Sequence, residues 1–397
     1  LIDFNYAFLS DPLLCQYRHN RKYGGIATYE QKRAFLLATL RKLIDLNDLH
    51  NFDYAVTINN NYAVKAICRS YFKFLGLQFK TILTNRISSR FSVYLDYGMN
   101  GKIDKSKTFT TKTDAENLRL EYIRRVKTSG TSYDEHKDLL KRKSQFLTKK
   151  LVQNFSLLKY AFNVWVRKPS RLYQKRALIP SLSEIMWFEL IANTFNYFRW
   201  RQLKFETHEN FRAEFYFYPL QVSPESAILS SSSVSDEVSF AIDIANRLPF
   251  GVKLYVKEHP GMVGERSIYD HHRLAAVDNI VLVDPFAPNF AYLMNCKKLL
   301  TQCGTIALEA AVLGVKSVCF GQTEYSGVNE IQKGNILNFQ DESHDYESGI
   351  SINQYITESI RYSMKIDMNK IKYAPTRSNF ERNDWSKEID KLEDLIS

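Results

Sequence analysis

From residue 215 to residue 321 the chain repeats one unit: a short apolar run that breaks off in polar or glycine residues, then a helical stretch. The runs are FYFYPL (215–220), KLYVKEH (253–259), NIVLVDP (279–285), KLLTQ (298–302) and KSVCFG (316–321). Between them lie helical patterns over 235–248, 267–277, 289–297 and 305–314, the first with Ser235 expected as its N-cap. Near-continuous apolar runs mark strands covered on both faces, and their alternation with helices requires a doubly wound parallel sheet. Ligands of such sheets sit in the crevice at the carboxyl ends of the strands. Three strand ends carry the candidate residues: Gln221-Val222-Ser223-Pro224-Glu225, Lys257-Glu258-His259-Pro260 and Gln302-Cys303-Gly304-Thr305. In the third, Gly304 permits close backbone approach, and the following helix N-terminus offers amides and a positive dipole end to a phosphate. An ordinary strand-turn-helix connection looks the same, so this turn alone decides nothing.

The first half of the chain has a weaker version of the pattern. A helix is expected over 28–46, a strand over 52–60, a helix over 61–77 stopped near Gly76, and strands over 79–85 and 91–98. Strand, helix, strand at this spacing is a βαβ unit, so this half reads as Rossmann-like. From 102 to about 150 the chain turns polar and basic, with helical spacing in Leu118–Val126 and Leu139–Leu147. Such a segment is a solvated helical face or a surface for anionic partners. Two further helices are expected over 151–172 and 182–205, the second apolar around much of its circumference, with a domain boundary near 207–213.

A chain of 397 residues suits two domains, and 45% hydrophobic against 24% charged residues supports proper cores. The net charge of +11 favours anionic partners. Nucleic acid is the weakest of these, because neither zinc-knuckle spacing nor an RNP-like aromatic pattern occurs. The five cysteines are scattered without a C-x-x-C pair, which reads as reduced thiols. No apolar run approaches the roughly 20 residues that span a bilayer, and LIDFNYAFLSDPL lacks the pattern of a signal peptide. A cytoplasmic protein is expected, loosely held on the inner membrane face by its basic charge. No Asp-x-Asp triplet and no phosphate-loop motif occur, and the adjacent His271 and His272 would point about 100° apart on a helix, too far for one metal.

The trio of strand ends, in this order over about 215–330, resembles the bacterial capsule polysaccharide biosynthesis family, which contains the Kdo transferases of capsule and lipopolysaccharide assembly. Some bacterial sialyltransferases are similar more distantly. The motifs are the His-Pro pair (His259, Pro260), the turn Gln302 to Thr305 opening a helix with Glu309, and Glu225 after Gln221-Val222. The N-terminal half carries no matching motif. The resemblance implies an α/β, GT-B-like fold: two Rossmann-type domains facing a central cleft, with an inserted basic helical segment. Residues 1–210 would form the acceptor-side domain with its insertion at about 102–205, residues 211–370 the nucleotide-sugar domain, and 371–397 a helix across both. Two departures stand out. The family usually has Asp where Glu225 stands, and often Ser where Cys303 and Gly304 stand.

The implied activity is glycosyl transfer without a metal or other cofactor, from a CMP-linked 3-deoxy-ulosonic acid such as Kdo to a glycan or lipid-linked acceptor. His259 would support the leaving phosphate. Glu225 would act as base or nucleophile, and the residues leave inversion and retention open. Gln221, Lys257, Glu258, Pro260, Gln302, Gly304, Thr305 and Glu309 would bind the nucleotide, Glu309 at its ribose. Asp236 and Glu237 are rival carboxylates in a first helical turn, where the dipole alone favours acids. A transferase or epimerase using a UDP-sugar, or a non-catalytic scaffold of the same fold, are the alternatives.

Overall fold

A computed structural model describes residues 29–58, 63–85, 87, 90–95, 102–129, 191, 193–206, 211, 214–222, 232, 234, 236–341, 349–366 and 382–396. The predicted helices over 139–147 and 151–172, and Glu225 with its neighbours, lie outside them.

The described residues build two sheets. In the first half, helix α1 (Tyr29–His50) precedes β1 (Tyr54–Ile58), α2 (Ala63–Phe74) and β2 (Gln78–Thr84). Strands β1 and β2 pair in parallel from Tyr54↔Gln78 to Ile58↔Ile82, giving the expected βαβ unit. Helix α2 buries Ala63, Ala66, Ile67, Ser70 and Tyr71, a stripe at spacings of three and four, and the chain turns at Gly76 with φ 75°. The next strands, β3 (Phe91–Leu95) and β4 (Lys102–Ile103), run antiparallel, so the first sheet is mixed. The short connection of residues 85–90 explains this, since a parallel return needs a crossover of a dozen or more residues.

Helix α3 (Lys112–Ser129) is the opening part of the basic segment. It is amphipathic as expected, but its apolar face is not a membrane face. Ala115, Tyr122 and Val126 are buried in a cluster with residues of the second half. Helix α4 (Asn193–Trp200) then packs Tyr197 and Trp200 against Val263, Ile268 and Phe286.

The second half contains β5 (Phe215–Pro219), α5 (Glu237–Arg247), β6 (Lys253–Lys257), α6 (Ile268–Ala275), β7 (Ile280–Val283), α7 (Asn289–Asn295), β8 (Lys298–Thr301), α8 (Ile306–Leu313) and β9 (Ser317–Cys319). A sixth strand, β10 (Ile331–Lys333), joins them beyond the five expected. All six are parallel, in the order β10-β9-β8-β5-β6-β7. This is the six-stranded doubly wound order of a Rossmann sheet, with its switch point between β5 and β8. Along β5 the side chains alternate between two cores. Phe215 and Phe217 face one cluster with Tyr255 and Tyr292, while Tyr216 and Tyr218 face the other with Leu254, Val256 and Leu300. Burial at this level stabilises by about 1.5–3 kcal/mol per large side chain. Asp236, not Ser235, caps α5, because its carboxylate accepts from the amides of Val238 and Ser239 at 3.1 Å each.

The chain then returns to its first half. Helix α9 (Ile352–Arg361) buries Ile352, Tyr355, Ile356 and Ile360 against α3 and α8. Met364 pairs with Phe91, and Arg90 donates to the carbonyl of Ser363 at 2.9 Å. The last helix, α10 (Arg382–Ile396), places Leu395 in one cluster with Ile82 and Val93 of the first sheet. No helix among the described residues is long and apolar enough to cross a membrane.

Candidate functional site

The switch point is formed by Gln221, just past β5, and by the turn from Gln302 to Thr305, just past β8. These are two of the three strand ends expected to bind ligand, and one side chain joins them. With its amide oriented by the surrounding donors, Gln221 accepts from the backbone N–H of Gly304 at 2.6 Å and of Cys303 at 3.2 Å. Gly304 N–H also reaches Thr301 Oγ1 at 3.1 Å. From the other side the buried Tyr325 hydroxyl donates toward the carbonyls of Cys303 and Gly304, at 2.8 and 2.9 Å. The turn is therefore held rigidly by both its donors and its acceptors.

This changes the expectation for the phosphate. Two amides that the sequence offers to an anion are already capped by Gln221, whose own role is to shape the turn. Thr305, at the N-cap of α8, makes no capping bond with its side chain and stands at the positive end of the helix. Gly304 is required for space. A Cβ there would lie 2.8 Å from Thr301 Oγ1 and 2.9 Å from the Gln221 amide. Gly304→Ala is expected to push Gln221 off the turn and destabilise the fold by about 1–3 kcal/mol, as urea unfolding would read.

Gln302 does not face the crevice. It is 1% exposed, accepts from the Ser232 hydroxyl and donates to the Tyr218 hydroxyl at 3.3 Å. Its role is to anchor Ser232 to the sheet.

The third strand end is the His-Pro turn. Pro260 opens a single turn of 3-10 helix, Pro260–Met262, with His259 as its N-cap. The His259 ring Nδ1 accepts from the Gly261 amide at 3.1 Å. With Nδ1 accepting, the neutral ring carries its proton on Nε2, which makes that nitrogen a donor.

Lys257 and Glu258 precede His259 and point to opposite faces of the sheet, both inward. Lys257 Nζ donates to Asn289 Oδ1 at 2.5 Å. Burial pulls its pKa down to about 8, against the opposing pull of Asp284 and Glu309. Glu309, only 4% exposed, lies near enough to Lys257 for its charge to favour the ammonium. Its position four residues after Thr305 places it on the same side of α8.

Glu258 faces α5 and α6. Its Oε2 accepts from Arg266 Nε at 2.5 Å and lies 3.2 Å from His271 Nε2, while Oε1 accepts the His259 N–H at 2.6 Å. Burial opposes its ionisation, yet Arg266 and His271 outweigh this and hold the pKa at about 2. Glu258 therefore supports the His-Pro turn from beneath. Arg266, which sequence reasoning overlooked, also donates to the Gln221 carbonyl at 2.8 Å and lies 3.5 Å from Glu237 Oε2. Glu237 completes the set by accepting the Gln221 N–H at 3.1 and 3.2 Å. The rival carboxylates are therefore a helix cap (Asp236) and a buried loop anchor (Glu237). His271 and His272 part as expected, one buried and one exposed.

Because Glu258 drops from an ordinary 4.5 to about 2, its contribution is complete above pH 4.5 and is lost as pH falls toward 2. Glu258→Gln should therefore lie furthest below the parent protein in stability at neutral pH. The gap between the two urea-unfolding curves should close across that acid window.

No family model matches the sequence, and no curated protein does. Solved structures do resemble the fold. One is the Thermosulfurimonas dismutans KpsC beta Kdo 2,7 transferase, 10% identical, covering 86% of this chain and 91% of that one, with a TM-score of 0.36. The beta Kdo 2,4 transferase of the same KpsC is 13% identical over 81% and 83%, also at 0.36. A UDP-GlcNAc 2-epimerase from Neisseria meningitidis bound to UDP-GlcNAc is 10% identical over 89% and 84%, at 0.29.

Proposed function

We propose that the chain is a glycosyltransferase of surface-polysaccharide assembly that moves a sugar from a nucleotide donor, a CMP-linked 3-deoxy-ulosonic acid by our reading of the motifs. The observation that carries this reading is the His259 ring. Its Nδ1 is held by the Gly261 amide, so Nε2–H is a fixed donor at the carboxyl edge of a parallel sheet. A nucleoside monophosphate leaving from a sugar gains negative charge on oxygen, and a preorganised N–H stabilises that charge as it forms. Thr305 and the N-terminus of α8 lie at the switch point, where the nucleotide is expected. Glu225 follows Gln221, whose backbone is anchored through both N–H and carbonyl, and it would meet the acceptor hydroxyl or the anomeric carbon.

Calorimetric titration with CMP, UDP and GDP tests the reading. CMP should bind most tightly. Preference for UDP would move the assignment to a UDP-sugar enzyme, and no binding of any of the three would leave only a scaffold. The reading also includes salt-sensitive attachment to anionic membranes, based on the net charge of +11. Sedimentation with phosphatidylserine vesicles should fall as the Debye length shrinks from about 10 Å at 0.1 M to about 3 Å at 1 M salt. Absence of binding even at low salt would make the basic surface a solvated face only.

A further inference from the structure

We propose that Arg266 is a positioning residue that sets the loop after β5 and the loop after β6 in one frame, so that Gln221 and His259 cannot move independently. Only its consequence for turnover rests on the transferase reading; the geometry does not. Arg266 is 7% exposed and touches both loops. Toward the first, Nη2 donates to the Gln221 carbonyl at 2.8 Å and lies 3.5 Å from Glu237, which accepts the N–H of the same Gln221. Toward the second, Nε donates to Glu258 at 2.5 Å, and Glu258 accepts the N–H of His259 at 2.6 Å. Both backbone polar groups of Gln221 and the N–H of His259 thus end on charges that meet at one guanidinium. His271 closes the far side of Glu258.

The residue type matters. A planar fork reaches a carbonyl and two carboxylates at fixed angles, whereas a lysine ammonium is a single point of charge on a flexible stem. Buried charges of this kind cannot be loosened one at a time, because each leaves the others uncompensated. A disturbance at either carboxylate therefore has to be taken up by Arg266 and passed to the opposite loop.

The test reads the backbone amide protons of Gln221 and His259 by NMR of the labelled full chain, alongside transfer kinetics. Glu237→Gln and Glu258→Gln are nearly isosteric. Glu237→Gln is expected to shift the His259 amide proton, which Glu237 does not touch. Glu258→Gln is expected to shift that of Gln221, which Glu258 does not touch. Both should lower kcat by on the order of a hundredfold, as a displacement of about 1 Å can, with KM for the donor little changed. If each substitution moves only its own amide, the array is two separate pairs and the proposal fails. It fails also if the crossed shifts appear with turnover unchanged. Should one variant not fold, the other decides. Arg266→Lys gives a third reading, since it must move both amides together. A parent protein without transferase activity would defeat the proposed function, while the crossed shifts would still decide whether Arg266 joins the loops.

Discussion

His259→Ala should lower the rate of transfer by a hundredfold to a thousandfold, with a smaller loss of nucleotide affinity. On the proposed reading the ring contributes one donor whose direction is already fixed, since Nδ1 is engaged by Gly261. Removing a single donor of this kind from developing charge costs roughly 2.7–4 kcal/mol, most of it in the transition state, where the phosphate charge is greatest. The fold should survive. His259 is not a core residue, and the Glu258 carboxylate contacts its backbone N–H rather than its ring. Single-turnover transfer and calorimetry on the same preparation measure both parts. A rate within about threefold of the parent, far short of the expected loss, would remove His259 from the chemistry.

Glu225→Gln should abolish transfer while nucleotide binding and thermal stability stay near those of the parent. The substitution is nearly isosteric and removes only the charge and the lone pair needed to take a proton or attack a carbon. Glu225→Asp then separates the two roles. A nucleophile withdrawn by one methylene loses its bond-forming distance and should be as inactive as the glutamine variant. A base acting through a longer or water-bridged contact should retain measurable transfer. Near-normal transfer by Glu225→Gln would show that another carboxylate does the work. Asp236, part-exposed at the start of α5, would then be the next to test, whereas Glu237 is buried against Gln221 and Arg266.

The second sheet was legible because its strands are buried on both faces. FYFYP is an unbroken apolar and aromatic stretch, KLLT is buried at all four positions, and turns and helix starts follow them. Strand β10 was not legible. Three residues, Ile331–Lys333, carry no periodicity, and only the presence of β9 beside them makes a strand. The antiparallel turn of β3 was equally hidden, since the strand pattern is the same in both directions. At the candidate site, the sequence located the strand ends themselves, because polar residues after an apolar run must lie at the sheet edge. It could not tell which polar side chains turn inward. Glu258 looks like a surface acid until the folded chain brings Arg266 against it. The only sequence signal for Arg266 was an arginine in a loop, GERS, of no distinctive spacing. A buried ion pair across a loop leaves no pattern in the chain, because its partners are matched by packing rather than by period.

The return of the chain to its beginning governs the order in which the protein can be built. Leu395 completes the cluster of Ile82 and Val93, and Lys80 Nζ donates to the carbonyl of Ile396 at 2.5 Å. Arg90 and Asn85 likewise bond to carbonyls of Ser363 and Ser359. On a ribosome, chains begin at the first residue, and domains ordinarily fold in that order. Here the first sheet must wait, with part of its apolar face uncovered, until residues some three hundred positions downstream have left the exit tunnel. The later sheet draws its six strands from a contiguous stretch and can close before them. The half made first is thus the half finished last, and for the interval between, its uncovered apolar face is one a chaperone would hold.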